Sequence, residues 1–294
     1  MDVTDRSPLP RRLSTQSRSR EPLPREVRDL PPLDPDFGAT LDSGLREIGL
    51  ELTAAQRAAV DAHVRLLVAW NAHINLSGLR TAQDIARGHV LDALLAVPAL
   101  HEIARGREVT LLDIGSGGGF PGLPLAVALP ARRAALVDSI AKKAAFLEAA
   151  AAVVDDALRA APAPRPKIEA LAERAEDLAD EPDQRESWDL VVARALGTVA
   201  ECAELGLPLA RRGGHVVMWK RASDDPARES LDVEINHARR IVQAAGGGAI
   251  RVVALEAGGR VGLPGSCLVV VRKIRPTPDR YPRPPGERRR GTLP

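Results

Sequence analysis

Apolar and polar positions change period once along this chain. In the first part they recur at helical spacing. Leu41 to Leu50 forms a short amphipathic stretch, and Val60, Val64, Leu67 and Ile74 then fall on one helix face. Thr53-Ala-Ala-Gln56 is a capping-box pattern that opens this second helix, which runs to about Trp70. Thr81 and Asp84 open a further helix with Ile85, Leu91, Leu94 and Leu95 on its apolar side. From Val109 onward, short unbroken apolar runs alternate with longer helical stretches. The runs are Val109–Ile114, Ala134–Val137, Ile168–Ala170, Trp188–Ala193 and His215–Trp219. The helices between and after them are expected at 123–129, 140–154 (capped by Ser139), 196–209 and 224–245. Val252–Leu255 and Cys267–Ile274 close the pattern as an antiparallel strand pair. Such an order predicts an α/β fold, a mostly parallel sheet with helices on both faces and a C-terminal antiparallel hairpin, preceded by a small helical region. Four segments follow: 1–36, rich in Pro, Arg and Ser and read as disordered; 37–105, helical; 106–275, the sheet domain; and 276–294, a basic tail.

The first strand empties into Asp113-Ile-Gly-Ser-Gly-Gly-Gly-Phe-Pro-Gly. Glycines there allow positive φ and close approach of a ligand to the backbone, and the helix that follows offers free N–H groups. Two ligand classes compete for such a loop. A dinucleotide would use Gly117-x-Gly119-x-x-Gly122, but Pro121 removes a donor where a pyrophosphate needs one. The acid that leads the loop favours a cationic ligand without phosphate, and S-adenosylmethionine, with a sulfonium and an α-amino group, is one. Asp138, at the end of the second strand, is placed to accept ribose hydroxyls in either class. Arg194 ends the fourth strand and Lys220 the fifth, both on the ligand side of such a sheet. A strand-end salt bridge to Glu176 or Asp189 is the alternative for Arg194. Asn71 and Asn75 suit a turn-fixing role, and His89 and Asp92 lie one helical turn apart, a spacing that is more often structural than catalytic.

Charge and composition narrow the classes. Aromatic residues make up only 2% of the chain, which argues against a surface built on stacked bases. Cys202 and Cys267 stand far apart with no metal-ligand spacing, so no metal is expected. Few thiols, no hydrophobic signal segment and no membrane-length apolar run point to a reducing cytoplasm and no membrane partner. The net charge of +2 hides an asymmetry. Residues 272–294 carry Arg272, Lys273, Arg275, Arg280, Arg283, Arg288, Arg289 and Arg290 against Asp279 and Glu287, so the remainder is net acidic. That concentration suits contact with a phosphate backbone, with a merely solvated tail nearly as good a reading. The sequence sets no oligomeric state; a monomer is expected.

Asp113-Ile-Gly-Ser-Gly-Gly-Gly-Phe-Pro-Gly-Leu-Pro-Leu125 resembles the signature of the RsmG (GidB) methyltransferases. The likeness extends through Trp70-Asn71…Asn75-Leu76, His89-x-x-Asp92, Asp138-Ser139…Lys142-Lys143…Phe146-Leu147, Arg174-Ala175-Glu176, Val192-Ala193-Arg194-Ala195 and Lys220. Thr277-Pro-x-x-Tyr281-Pro-Arg283-x-x-Gly286 is similar to the family's basic tail, so the resemblance covers about 40–286. It departs at Ala193, where serine commonly precedes the arginine, and at Ser77-Gly78. The resemblance implies a Rossmann-like class I methyltransferase, bacterial and cytoplasmic, that moves a methyl group from S-adenosyl-L-methionine to N7 of a guanine in 16S rRNA of the small ribosomal subunit. It further implies that Gly115 and Phe120 touch the cofactor, that Ala175 and Glu176 flank its adenine and that Arg194 lines the active site. Asp113, Gly117, Asp138 and Arg194 join the expected cofactor-binding set, and Arg194 and Lys220 are the catalytic candidates. A non-catalytic RNA-binding or ribosome-assembly factor on the same fold is the alternative.

Overall fold

The computed structural model describes residues 22–160, 165–222 and 230–289. Helix α1 (Pro35–Ile48) starts at Asp34, whose side chain accepts from the Asp36 N–H, with proline at the first helical turn. Helix α2 (Ala54–Asn71) opens on the expected capping box: the Thr53 hydroxyl and the Gln56 amide each accept the other's backbone N–H. Helix α3 (Ala82–Ile85) passes into a π turn (Ala86–Leu91), then α4 (Asp92–Leu94) and α5 (Val97–Ala104). The alternating part follows as β1 (Val109–Ile114), α6 (Gly122–Ala128), β2 (Ala131–Val137), α7 (Ala141–Leu158), β3 (Lys167–Leu171), α8 (Ala175–Leu178), β4 (Trp188–Arg194), α9 (Val199–Gly206) and β5 (Ala210–Arg221). Helix α10 (Leu231–Ala244), β6 (Gly247–Ala254), β7 (Ser266–Lys273) and α11 (Pro285–Arg289) complete it.

The seven strands lie in the order β3-β2-β1-β4-β5-β7-β6. Strands β1 to β5 pair in parallel, and β7 runs antiparallel to both β5 and β6. The chain walks outward from β1 to β3, then returns beside β1 to lay down β4. The crevice at the carboxyl ends of β1 and β4 is therefore the switch point, where such sheets bind ligands. Each face of the sheet has its own core. Val109 and Leu111 face a layer built with Leu66, Leu94 and Leu100, while Leu112 and Ile114 face Cys202, Ala203 and Ala238. The helical region thus shares its core with the sheet.

Several expectations change at the boundaries. Residues 22–36 are ordered against the protein, not disordered. Leu23, Val27, Leu30 and Leu33 pack on the core, the Trp70 indole N–H donates to the Pro24 carbonyl at 2.7 Å, and the Arg65 guanidinium donates to the carbonyls of Val27 and Pro31. An extended segment held through its carbonyls leaves no periodic trace in the sequence. Residues 1–21 lie outside the described residues. The expected 196–209 helix is shorter because Thr198 and Glu201 form a capping box there. Helix α7 is not capped by Ser139; the Asp138 carboxylate accepts the Ile140 N–H at 2.9 Å instead.

The segment after β7 is also not a free basic tail as far as it is described. Tyr281 is buried, the Lys273 ammonium donates to the Leu207 carbonyl and Thr277 hydroxyl, and it pairs with Glu186 at 2.9 Å. Arg283 forks onto buried Glu204 through Nε and Nη2, both at 2.8 Å. A buried carboxylate stripped of its cation is strongly destabilising. Arg283→Met is therefore expected to lower unfolding free energy by about 3 kcal/mol, read from the midpoint of urea denaturation. An unchanged midpoint would contradict the role of this pair.

Candidate active site

The glycine loop is shaped from beneath by Asp113. Strand alternation points its side chain to the same face as Leu111, under the loop, where it is fully buried. Its Oδ2 accepts the Ser116 hydroxyl at 2.6 Å and the Gly122 N–H at 2.9 Å, while Oδ1 has no protein partner. A Cβ on Gly122 would stand 2.6 Å from that same Oδ2, so only glycine lets α6 start so close. Burial pushes the Asp113 carboxyl up to about 6. The expectation that Asp113 faces a cationic ligand is thus corrected: it organises the loop from below and does not line the cavity.

That cavity, about 390 Å³, opens at the carboxyl ends of β1 and β2. Gly115, Asp138, Ala175 and Glu176 all line it, with Val137 and Leu196 as apolar walls. Gly115 has φ +72°, and a Cβ there would stand 2.5 Å from Leu196 Cδ1. Asp138 accepts the Gly117 N–H at 3.0 Å as well as that of Ile140, which fixes both oxygens at the rim with lone pairs to spare. Glu176 accepts from Arg288 at 2.6 Å. Burial alone would raise its carboxyl, but the Arg288 hydrogen bond and the charges of Arg288 and Arg174 hold it below the ordinary range. The cavity volume, the apolar walls and the rim carboxylate fit a nucleoside. S-adenosylmethionine passes that test with this chain's residues.

Phe120 lies outside that lining. Its ring is held between the imidazoles of His63 and His89, both with centroids 4.5 Å away, and the Arg194 guanidinium sits 5.6 Å from its centroid. Arg194 does not pair with Glu176 or Asp189. Nη1 donates to Asp92 Oδ2 at 2.8 Å and to the Gly88 carbonyl at 2.9 Å, and Nη2 donates to His89 Nδ1 at 3.1 Å. Because Nδ1 accepts, the His89 proton sits on Nε2 and is donated to Ser77 Oγ at 2.6 Å. The π turn brings the Gly88 carbonyl and the His89 ring to one arginine; π turns recur at such sites. Asn71 has the turn-fixing role: its Oδ1 accepts from Leu76 and Ser77.

Lys220 is engaged elsewhere. Its ammonium donates to Glu234 at 2.5 Å and to the Gly197 carbonyl at 2.9 Å, which ties α10 to the β4–α9 loop. Unlike Arg194, which sits over the Phe120 ring of the glycine loop, Lys220 has no contact with that loop, and the catalytic role expected of it gives way to a bracing one. Nothing in the sequence pattern marks His63, which is buried in α2 and donates from Nε2 to the Gly118 carbonyl at 2.8 Å. Among the described residues, no group of three or more His, Cys, Asp or Glu is arranged to hold a metal, and no helix is long and apolar enough to cross a membrane.

A sheet of this order, with a glycine loop after β1 and an acid at the rim after β2, defines a Rossmann-like class I methyltransferase that uses S-adenosylmethionine. Residues 56–247 match the family model GidB, rRNA small subunit methyltransferase G. The chain is 36% identical over 241 residues to ribosomal RNA small subunit methyltransferase G of Roseiflexus castenholzii, covering 81% of this chain and 92% of that one. With the protein of the same name from Moorella thermoacetica it is 37% identical over 243 residues, covering 82% and 92%. This chain belongs to the rRNA small subunit methyltransferase G family.

Two tests follow from the geometry. Gly115→Asp puts a charged side chain in the cavity on a backbone with φ +72° that strains any side chain, and is expected to abolish S-adenosylmethionine binding in calorimetry; wild-type affinity would remove Gly115 from the site. The second concerns pH. Burial lowers His63 to about 4, and burial with the charges of Arg194 and His63 lowers His89 to about 3. Unfolded imidazoles protonate near pH 6.5, so between these values the unfolded chain binds more protons and stability falls as pH drops. Asp113, raised to about 6, opposes this with one group, against His63, His89 and the less buried His215, which is also lowered to about 4. Melts at pH 7 and pH 5 are expected to differ by on the order of 2 kcal/mol, less stable in acid. A higher melting temperature at pH 5 would refute neutral buried imidazoles.

Proposed function

We propose that this protein transfers a methyl group from S-adenosylmethionine to N7 of a guanine in 16S rRNA of the small ribosomal subunit. The observation that carries the reading is the Arg194 guanidinium, held by Asp92, His89 and the Gly88 carbonyl beside the glycine loop and over Phe120. Gly115 opens the cofactor's cradle, Gly117 fixes the Asp138 carboxylate that accepts its ribose hydroxyls, and Ala175 and Glu176 flank its adenine, while Phe120 stays outside it. When bound, the cofactor supplies an electrophilic methyl group on a sulfonium centre.

Guanine N7 carries a lone pair and no proton, so the acceptor needs alignment and a dry surrounding rather than a base. The neutral imidazoles suit this. His89 donates its one proton to Ser77, accepts from Arg194, and takes nothing from the substrate. Arg194 retains N–H groups for guanine O6, the neighbour of N7 on the major-groove edge, and such a contact leaves the N7 lone pair free. A phosphate of the same nucleotide is the other acceptor within its chemistry. Asp92 and His89 act as positioning residues by fixing the plane of the guanidinium.

Arg194→Gln is expected to lower kcat about 100-fold while leaving S-adenosylmethionine affinity within twofold. Wild-type turnover would remove Arg194 from the site. Mass mapping of 16S rRNA from cells with and without the gene tests the activity itself. A guanine that loses one methyl group supports the enzyme; an unchanged methylation pattern favours the non-catalytic ribosome-assembly factor.

A further inference from the structure

A second cavity, about 300 Å³, opens at the end of the sheet opposite the active site. Arg105 and Arg107 reach it from the turn after α5, His215 from β5, Arg251 from β6 and Arg272 from β7; Glu102 is the one acid in its lining. The strand register explains the clustering, since His215 pairs directly with Arg272 and Arg251 lies on the next strand. All four arginines are exposed, and none of them has a carboxylate partner among the described residues. Their neighbour Arg211 differs: it is spent on Asp189 at 2.5 Å. Four unpaired guanidinium groups around one concavity repel one another and focus a positive potential that an anion would relieve. Burial, then the charges of Arg272, Arg251, Arg211 and Arg105, lower His215 to about 4, so its neutral ring adds a hydrogen bond rather than a fifth charge.

The cavity is linked to the active site along two elements. Strand β5 runs from His215 toward the active-site end, a distance of about 16 Å over five residues at roughly 3.3 Å each. On the covering face, the helical stretch that places Gly88, His89 and Asp92 on Arg194 continues through α5 to Arg105. An extended polyanion that enters the active site can therefore reach the cavity along one side of the molecule. Basic residues in such a place contribute affinity and orientation without reading sequence. We propose that the cavity formed by Arg105, Arg107, Arg251 and Arg272 is a phosphate-binding site that grips the backbone of the substrate RNA away from the target guanine. This rests on the reading of the protein as an RNA methyltransferase.

The test compares wild type with the double variant Arg251→Gln/Arg272→Gln in binding to transcribed 16S rRNA across a series of salt concentrations. Both substitutions fall on exposed side chains, and circular dichroism melts verify the fold. The double variant is expected to bind about tenfold more weakly, with the slope of log affinity against log salt reduced by about 1.4, from roughly 0.7 per single-strand phosphate contact. KM for RNA should rise with kcat at saturating RNA unchanged, whereas Glu102→Gln should tighten binding. An unchanged affinity and slope in the folded double variant overturns the proposal. Inorganic pyrophosphate serves as the small-anion probe: if the double variant loses pyrophosphate binding while RNA affinity stays at the wild-type level, the occupant is a free anion and RNA is overturned. RNA binding needs no methyl transfer, so wild-type S-adenosylmethionine binding and methylation, measured separately, distinguish failure of this site from failure of the underlying reading.

Discussion

The arrangement depends most on one guanidinium. Arg194 ends β4, yet its partners Gly88, His89 and Asp92 all belong to the helical stretch laid down before the sheet begins. These hydrogen bonds therefore join the two parts of the chain at the crevice where a ligand enters. Charge-assisted bonds to a carboxylate in a half-buried setting are among the stronger polar contacts a protein makes. The Trp219 indole N–H adds a further tie by donating to the Asp92 carbonyl at 3.0 Å. The helical region is thus a wall of the active site, placed by the same residues that orient its arginine.

Beneath this, the glycine loop is held by buried groups. Asp113 takes the Ser116 and Gly122 donors from below, and His63 takes the Gly118 carbonyl from α2. The Phe120 ring between His63 and His89 then connects loop, α2 and the π turn into one packed unit. A loop so restrained presents its backbone in one shape, the preorganisation that a reaction governed by alignment requires. The cost is stored in groups whose charged forms the interior disfavours, two imidazoles and a carboxyl.

Much of this was legible in the sequence, and the remainder was hidden for identifiable reasons. Period changes placed the strands well because a buried strand is a short apolar run; β1 and β4 match their runs almost residue for residue. The antiparallel pair after β5 was legible as a pair, although β6 begins five residues earlier than its apolar run, at Gly247, and its insertion order, β7 inside β6, left no trace. Gly115, Asp138, Ala175 and Glu176 do share one cavity wall. Asp113 and Lys220 went astray because a strand-end charge looks the same whether it faces a ligand or a buried partner, and only the partner's position decides. Arg194 was singled out, but its partners lie about a hundred residues earlier, and no local spacing reveals that. His63 carried no signal at all, a lone polar residue on an otherwise apolar helix face.

The wall that Arg288 gives the cofactor cavity has a temporal meaning. Its Nη2 holds Glu176, and its Nη1 donates to the carbonyl of Arg283, itself locked onto Glu204. Every strand of the sheet is synthesised before this residue leaves the ribosome. A nascent chain can thus complete its hydrogen-bonded sheet while the Glu176 side of its cavity still lacks a wall. Closure of that side of the cavity therefore waits on chain that is made after the sheet is complete.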